Sequence, residues 1–229
     1  PPAPSEAAML THEFLKKRGL RDRSEIALVM PFGRPIPPSP DASAAILERF
    51  ARFGITFHPN HSIVGLDSAR RVALLSGGGE LPYDLFLGVP HHVAPEVVVR
   101  SGLTFDGWVK VDPFTLATAW PNVYAVGDVA SVGTPKAGVF AEGQAAIAAE
   151  QIIAKIEGRT TDARYDGFGR CYLEFGEGAV GQVDITFAHG QPPRGVLIGP
   201  TEDLEHDKVA FGSDRVRRWF GRTWQSTNK

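Results

Sequence analysis

The sequence predicts an α/β fold in which a nucleotide-type domain, entered partway through, is followed by a hairpin-rich region. Three observations lead there. Helical and strand-length apolar segments alternate from Ser5 to about Pro90, the order that builds a sheet with crossover helices. No strand or glycine-rich turn stands before the first helix, although such a domain ordinarily opens with both. Beyond Gly158, short alternating segments are separated by glycines, as hairpins are.

Each element has a local reason. Ser5 is placed to cap a helix carrying Leu10, Phe14 and Leu15, with Lys16 to Arg18 in its last turn and Gly19 as a left-handed stop. "EIALVMP" reads as a buried strand ended by Pro31. Asp41 is expected to cap a second helix, with Ile46, Leu47, Phe50 and Phe53 on one face and Gly54 at its end. "GITFH" is the next strand, "SIVGLD" and "RVALLS" an antiparallel pair, and Gly77 to Gly79 turn the chain into a further strand within "LPYDLFLGVP". Two short strands, Trp108–Val111 and Val123–Val126, precede a long helix from about Gly138 to Ile156.

Bulk properties exclude several classes. A net charge of −2 over 229 residues gives no general affinity for nucleic acid. One cysteine rules out an internal disulfide and any cysteine-rich zinc site, and suits a reducing, cytoplasmic setting. No apolar run is long enough to span a bilayer. From His206 to Lys229 there are six basic residues against two acidic ones. With Trp219, Phe220 and Trp224 this stretch reads as a tail whose aromatics pack on the core while its arginines face water; peripheral contact with a membrane is the other reading. His58 and His61 in "HPNH" lack the cysteines or carboxylates that would complete a metal site, so no metal is expected. His91 and His92 follow a strand end without a nameable partner.

Gly176, Gly178 and Gly181 have the spacing G-x-G-x-x-G. In a dinucleotide fingerprint that spacing opens a helix whose amides face a pyrophosphate. Here a strand follows, with Val183, Ile185 and Phe187 on one face and Gln182, Asp184 and Thr186 on the other, so the glycines belong to a hairpin. The stronger chemical signal is "TLATAWPNVYAVGDVA" followed by "TPKAGVFAEGQAA". A strand ending in Gly127 and Asp128 puts a carboxylate at the sheet edge where α/β folds bind ligands, ready to accept from a polyol hydroxyl. The helix after it offers amides and a positive dipole end to an anionic ring. The plainer reading is a strand, a turn and a core helix.

The segment Thr115 to Asp128 resembles the second FAD-binding motif of the pyridine-nucleotide disulfide oxidoreductases. "PPAPSEAAMLTHEFLKKRG", "ELPYDLFLGVPHHVAPEVVVRSGL", "PKAGVFAEGQA" and "YDGFGRCYLEFG" together resemble the sulfide:quinone oxidoreductases and flavocytochrome c sulfide dehydrogenases, in the same order and over nearly the whole chain. The resemblance implies an incomplete Rossmann-like domain over 1–90, the C-terminal part of an FAD-binding domain over 91–157, and a C-terminal hairpin and tail region over 158–229. It implies that Asp128 binds the FAD ribityl chain with Gly127 beside it, and that Lys136 and the amides of Ala137 and Gly138 sit near the pyrimidine edge of the flavin. Cys171 matches the downstream redox cysteine, whose thiolate receives sulfur while electrons pass through FAD to a quinone or another acceptor. Judged without the resemblance, Cys171 reads first as a small apolar filler.

Two departures qualify this. The other redox cysteine commonly lies just before the segment matching "PPAP", and the N-terminal FAD-binding portion with its own fingerprint is missing from this sequence. The chain alone is therefore expected to be an inactive part of a longer protein with an incomplete FAD site, whose partners are that N-terminal portion, an electron acceptor and a further copy of itself. A type II NADH dehydrogenase-like flavoprotein and a non-catalytic assembly module with a residual flavin motif are the alternatives.

Overall fold

The computed structural model describes residues 2–223, so Trp224 and Lys229 of the basic tail lie outside the described residues. The order is α1 (Ala3–Lys17), β1 (Ile26–Val29), α2 (Pro40–Phe53), β2 (Ile55–His58), β3 (Ile63–Asp67), β4 (Val72–Leu75), β5 (Glu80–Pro82), α3 (Glu96–Arg100), β6 (Thr104–Phe105), β7 (Trp108–Lys110), β8 (Ala130–Ser131), α4 (Gly138–Ile156), β9 (Phe168–Glu174), β10 (Val180–Thr186), β11 (Arg194–Thr201) and α5 (Leu204–Phe220). Two compact units emerge. Among the described residues, the first takes those up to Asp84, Cys171–Val183 and those from Val196; the second takes Leu85–Arg170 and Asp184–Gly195.

In the first unit β1 and β2 pair in parallel, Ile26 opposite Ile55 through Val29 opposite His58, joined by α2 as a βαβ crossover. α2 forms where it does because Ser39 Oγ accepts from the Ala42 amide and Pro40 supplies a preset first turn. Asp41 is thus a first-turn residue and not the cap expected from the sequence. Gly54 ends the helix in the left-handed region at φ 63°. Ile46, Phe50 and Phe53 are buried, whereas Leu47 lies at the edge of the packed stripe and is exposed. α1 likewise starts earlier than expected, behind Pro2, and Ser5 is buried inside it with no hydrogen-bond partner. β3 and β4 pair antiparallel as predicted, and β5 extends that sheet. The strand expected in "LPYDLFLGVP" is only three residues long: Leu85, Leu87 and Val89 have no ladder partner and stand exposed.

Arg21 ties this unit together. Its Nε donates to His12 Nδ1 at 2.9 Å, one terminal nitrogen to the Ser24 carbonyl, and the other to the carbonyls of Phe53 and Gly54 at 2.7 and 2.9 Å. His12 in turn stacks on Phe53, ring centroids 3.9 Å apart.

The strand expected at Val123–Val126 is reduced to a single bridge, Ala117 with Tyr124, because β7 takes β8 as its parallel neighbour instead. The second unit's core gathers Val109, Val111, Leu116, Ala125, Ala130, Ala148 and Tyr165. The expected helix Gly138–Ile156 is α4.

Gly176 and Gly178 lie in the turn between two paired strands and Gly181 already stands on β10, where β9, β10 and β11 lie side by side in that order. Gly176, Glu177 and Gly178 are all left-handed, at φ 75°, 55° and 79°. Glu177 is held there by Lys16, Arg49 and Arg52, which surround its carboxylate at 2.8, 3.7 and 2.6 Å. Gln182, expected to face outward, is buried and accepts from the Tyr172 hydroxyl at 3.3 Å. α5 was not legible as a helix; Gly221 closes it in a left-handed cap. Trp219 and Phe220 remain exposed, contrary to the expectation that they pack on the core.

His12 gives this unit a pH dependence. Burial first, then the Arg21 and Lys16 charges, lowers its pKa below the ordinary 6.5, with Glu177 opposing. As pH falls through 6.5 the unfolded chain takes up a proton that the folded chain refuses, so this contribution is complete above 6.5 and is lost below it. The thermal midpoint is expected to fall between about pH 7.5 and about pH 5.5, with a shallower fall in His12→Gln. Equal slopes for the two proteins would remove His12 from the account.

Candidate functional site

Five of the six residues singled out from sequence occupy one segment of the second unit. Gly127 and Asp128 lie on a 3₁₀ turn, Gly127–Val129, and not at the end of a ladder strand. Gly127 is left-handed at φ 72°, a conformation that L side chains disfavour. The turn leaves Asp128 exposed, and no ion pair engages its carboxylate among the described residues. After β8, the loop carrying Lys136 enters α4 through Ala137, and no side chain caps the helix. A Cβ built on Gly138 would meet nothing within 4 Å, so the helix entrance is open.

Lys136 is the cation of this segment. Its ammonium donates to the Asp128 carbonyl and lies 3.4 Å from the centroid of the Trp108 ring, a cation–π contact. Burial lowers its pKa and the Asp128 charge opposes that shift. An exposed carboxylate, a cation folded back over an indole and an uncapped helix entrance form a donor and acceptor set suited to a polyol joined to an anionic ring. These residues fit a flavin.

Sequence reasoning missed the support beneath the turn. The Gly127 amide donates to Gln144 Oε1 at 2.7 Å, and Gln144 Nε2 donates to Thr134 Oγ1 at 3.1 Å. Gln144 is buried in the second turn of α4. The signal for it was a lone amide among the small and apolar residues of "FAEGQAAIAA".

Cys171 lies in the first unit, partly buried on β9 between Arg170 and Tyr172. It alternates with Gly169 and Leu173, both buried, and so shares their face. Arg170 points to the opposite face and holds Asp184 through two bonds of 2.8 and 2.7 Å. That pairing removes adjacency to Arg170 as an argument for a thiolate. His61 Nδ1 lies 2.7 Å from the Pro59 carbonyl, and no cluster of three potential metal-ligating side chains occurs among the described residues.

The conformation of the turn is testable without a ligand. Gly127→Ala is expected to cost about 1 to 2 kcal/mol, read as a lower denaturant midpoint. The new methyl would stand 3.4 Å from Ala141 Cβ, an ordinary contact, so backbone strain is the source. An unchanged midpoint would mean that the turn relaxes freely.

Comparison with known proteins bears on the whole segment. The family profile described as pyridine nucleotide-disulphide oxidoreductase matches residues 5–151. The mitochondrial sulfide:quinone oxidoreductase of Schizosaccharomyces pombe is 31% identical over 117 residues, covering 50% of this chain and 25% of that protein. The mitochondrial sulfide:quinone oxidoreductase of Mus musculus is 25% identical over 182 residues, covering 76% of this chain and 40% of that protein. The chain therefore spans two fifths or less of these curated relatives. Among solved structures, the sulfide:quinone oxidoreductase of the hyperthermophilic bacterium Aquifex aeolicus shares the fold with a TM-score of 0.74 at 18% identity, over 97% of this chain and 61% of that one. With a profile match running from α1 into α4 and a Rossmann-type α/β fold to accompany it, the chain belongs to the pyridine nucleotide-disulphide oxidoreductase family.

Proposed function

We propose that the chain is the C-terminal portion of an FAD-dependent oxidoreductase of the sulfide:quinone type. The observation that carries this reading is the Gly127–Gly138 segment, in which an exposed carboxylate, a folded-back lysine and an open helix entrance fit a flavin. In this reading Asp128 accepts from the ribityl hydroxyls, while Lys136 and the amides of Ala137 and Gly138 face the pyrimidine edge, where they favour negative charge. When bound, FAD would take an electron pair from the donor and release it to a quinone or similar acceptor. Cys171 holds sulfur as the donor-side thiolate. Residues 1–90 supply a partial NAD-type domain, 91–157 the C-terminal part of the FAD domain, and 158–229 the region facing a second copy, the acceptor or a membrane. No described helix is long and apolar enough to cross a membrane, so any membrane contact in this reading is peripheral and runs through the basic, aromatic C-terminus. The relatives' greater length supports a catalytic cycle that needs further residues, so the chain on its own is inactive in this reading.

FAD titration of the chain, alone and joined to the upstream residues that its relatives carry, tests the assignment. Asp128→Ala is expected to weaken flavin binding about tenfold, the worth of one hydrogen bond to a charged group. Equal affinity in the variant would remove Asp128 from the site. Cys171→Ala is expected to leave the flavin bound and abolish its bleaching by sulfide. Bleaching at the parental rate would end the sulfur-carrying role.

A further inference from the structure

The buried amide of Gln144 accounts for the spacing of the candidate site. A backbone N–H can only donate, so the bond from Gly127 fixes the atom facing it as Oε1. Nε2 must then face Thr134, and it does, at 3.1 Å. One side chain with 2% exposure thus fastens two loops to α4: the turn whose next residue is Asp128, and the loop that reaches Lys136 two residues after Thr134. Neither contact has a water-exposed substitute on the Gln144 side, because the amide is enclosed. A second observation points to the same place. The Tyr165 hydroxyl is buried with no hydrogen-bond partner, its ring lies against Gly143, and Gln144 and Thr134 are the neighbours that act on its ionisation. Burial pushes the pKa of that phenol upward.

We propose that Gln144 is a positioning residue which, through Gly127 and Thr134, sets the separation of the Asp128 carboxylate from Lys136 and the α4 entrance. The inference rests on reading that segment as the flavin-holding element. Replacing the amide by an apolar side chain orphans the Gly127 N–H and frees the turn to open.

The test has a readout that needs no flavin. Amide exchange at Gly127, followed by NMR in the whole chain, is expected to accelerate at least tenfold in Gln144→Leu. In Thr134→Val, an isosteric change at a half-buried position, it should accelerate about threefold, because the amide loses its second anchor. Unchanged Gly127 exchange in both variants overturns the proposal. If Gln144→Leu does not fold, Thr134→Val decides alone, and unchanged exchange there overturns it. FAD titration then separates this inference from the reading beneath it. Flavin affinity about tenfold weaker in Gln144→Leu supports the positioning role, and affinity equal to the parent's overturns it. If the parent itself binds no FAD in any context, the flavin reading fails, while the Gly127 exchange rates still decide what Gln144 does.

Discussion

The first unit depends on one guanidinium. Arg21 gathers the imidazole of α1, the carbonyl of Ser24 ahead of β1 and the two carbonyls at the junction of α2 and β2. A βαβ crossover leaves the last carbonyls of its helix without intrahelical partners. Here two such groups, Phe53 and Gly54, converge on a single planar cation whose fork geometry suits them. Lysine would supply the charge but not the fan of donors. The stacking of His12 on Phe53 makes the same junction an apolar contact as well, so the helix end is fixed by two kinds of force at once.

The second unit solves the same problem with a neutral group. Gln144 gives Gly127 and Thr134 one partner each, in a place where a charge would be expensive. The contrast follows from burial. Arg21 sits at a partly open edge where desolvation is incomplete, whereas Gln144 is enclosed by α4 and the turn that it supports.

Glycine made the ends of elements legible. Gly19 and Gly54 were read as helix stops, and both adopt the left-handed conformation that such stops need. Helix starts were less legible because several residues in a row are competent caps. In "PPSPDAS" the choice of Ser39 over Asp41 was settled by Pro40, which fits the first helical position and so fixes the cap just before it. The expected strand at Val123–Val126 that does not form and the short one at Glu80–Pro82 have a common cause. Local pattern shows that a segment is apolar, but a strand also needs a partner at hydrogen-bonding distance, and partners are decided at long range. The exposed side of the candidate site, Asp128 and Lys136, was readable because it follows a motif. Trp108 and Gln144, which hold Lys136 and the turn in place, lie 28 residues before and eight after Lys136, and only the fold brings them in.

Gly176, Gly178 and Gly181 carry a lesson about motifs. The first two are demanded by a left-handed turn, in which even Glu177 must join. The third is demanded by volume: a methyl on Gly181 would lie 2.7 Å from the Phe175 ring and 3.0 Å from Leu197. Two unrelated constraints, torsional and steric, thus write out the same string that a pyrophosphate cradle would require. A pattern search scores that string as one signal, yet here its letters answer to separate physical demands of a hairpin, and none of those demands involves a nucleotide.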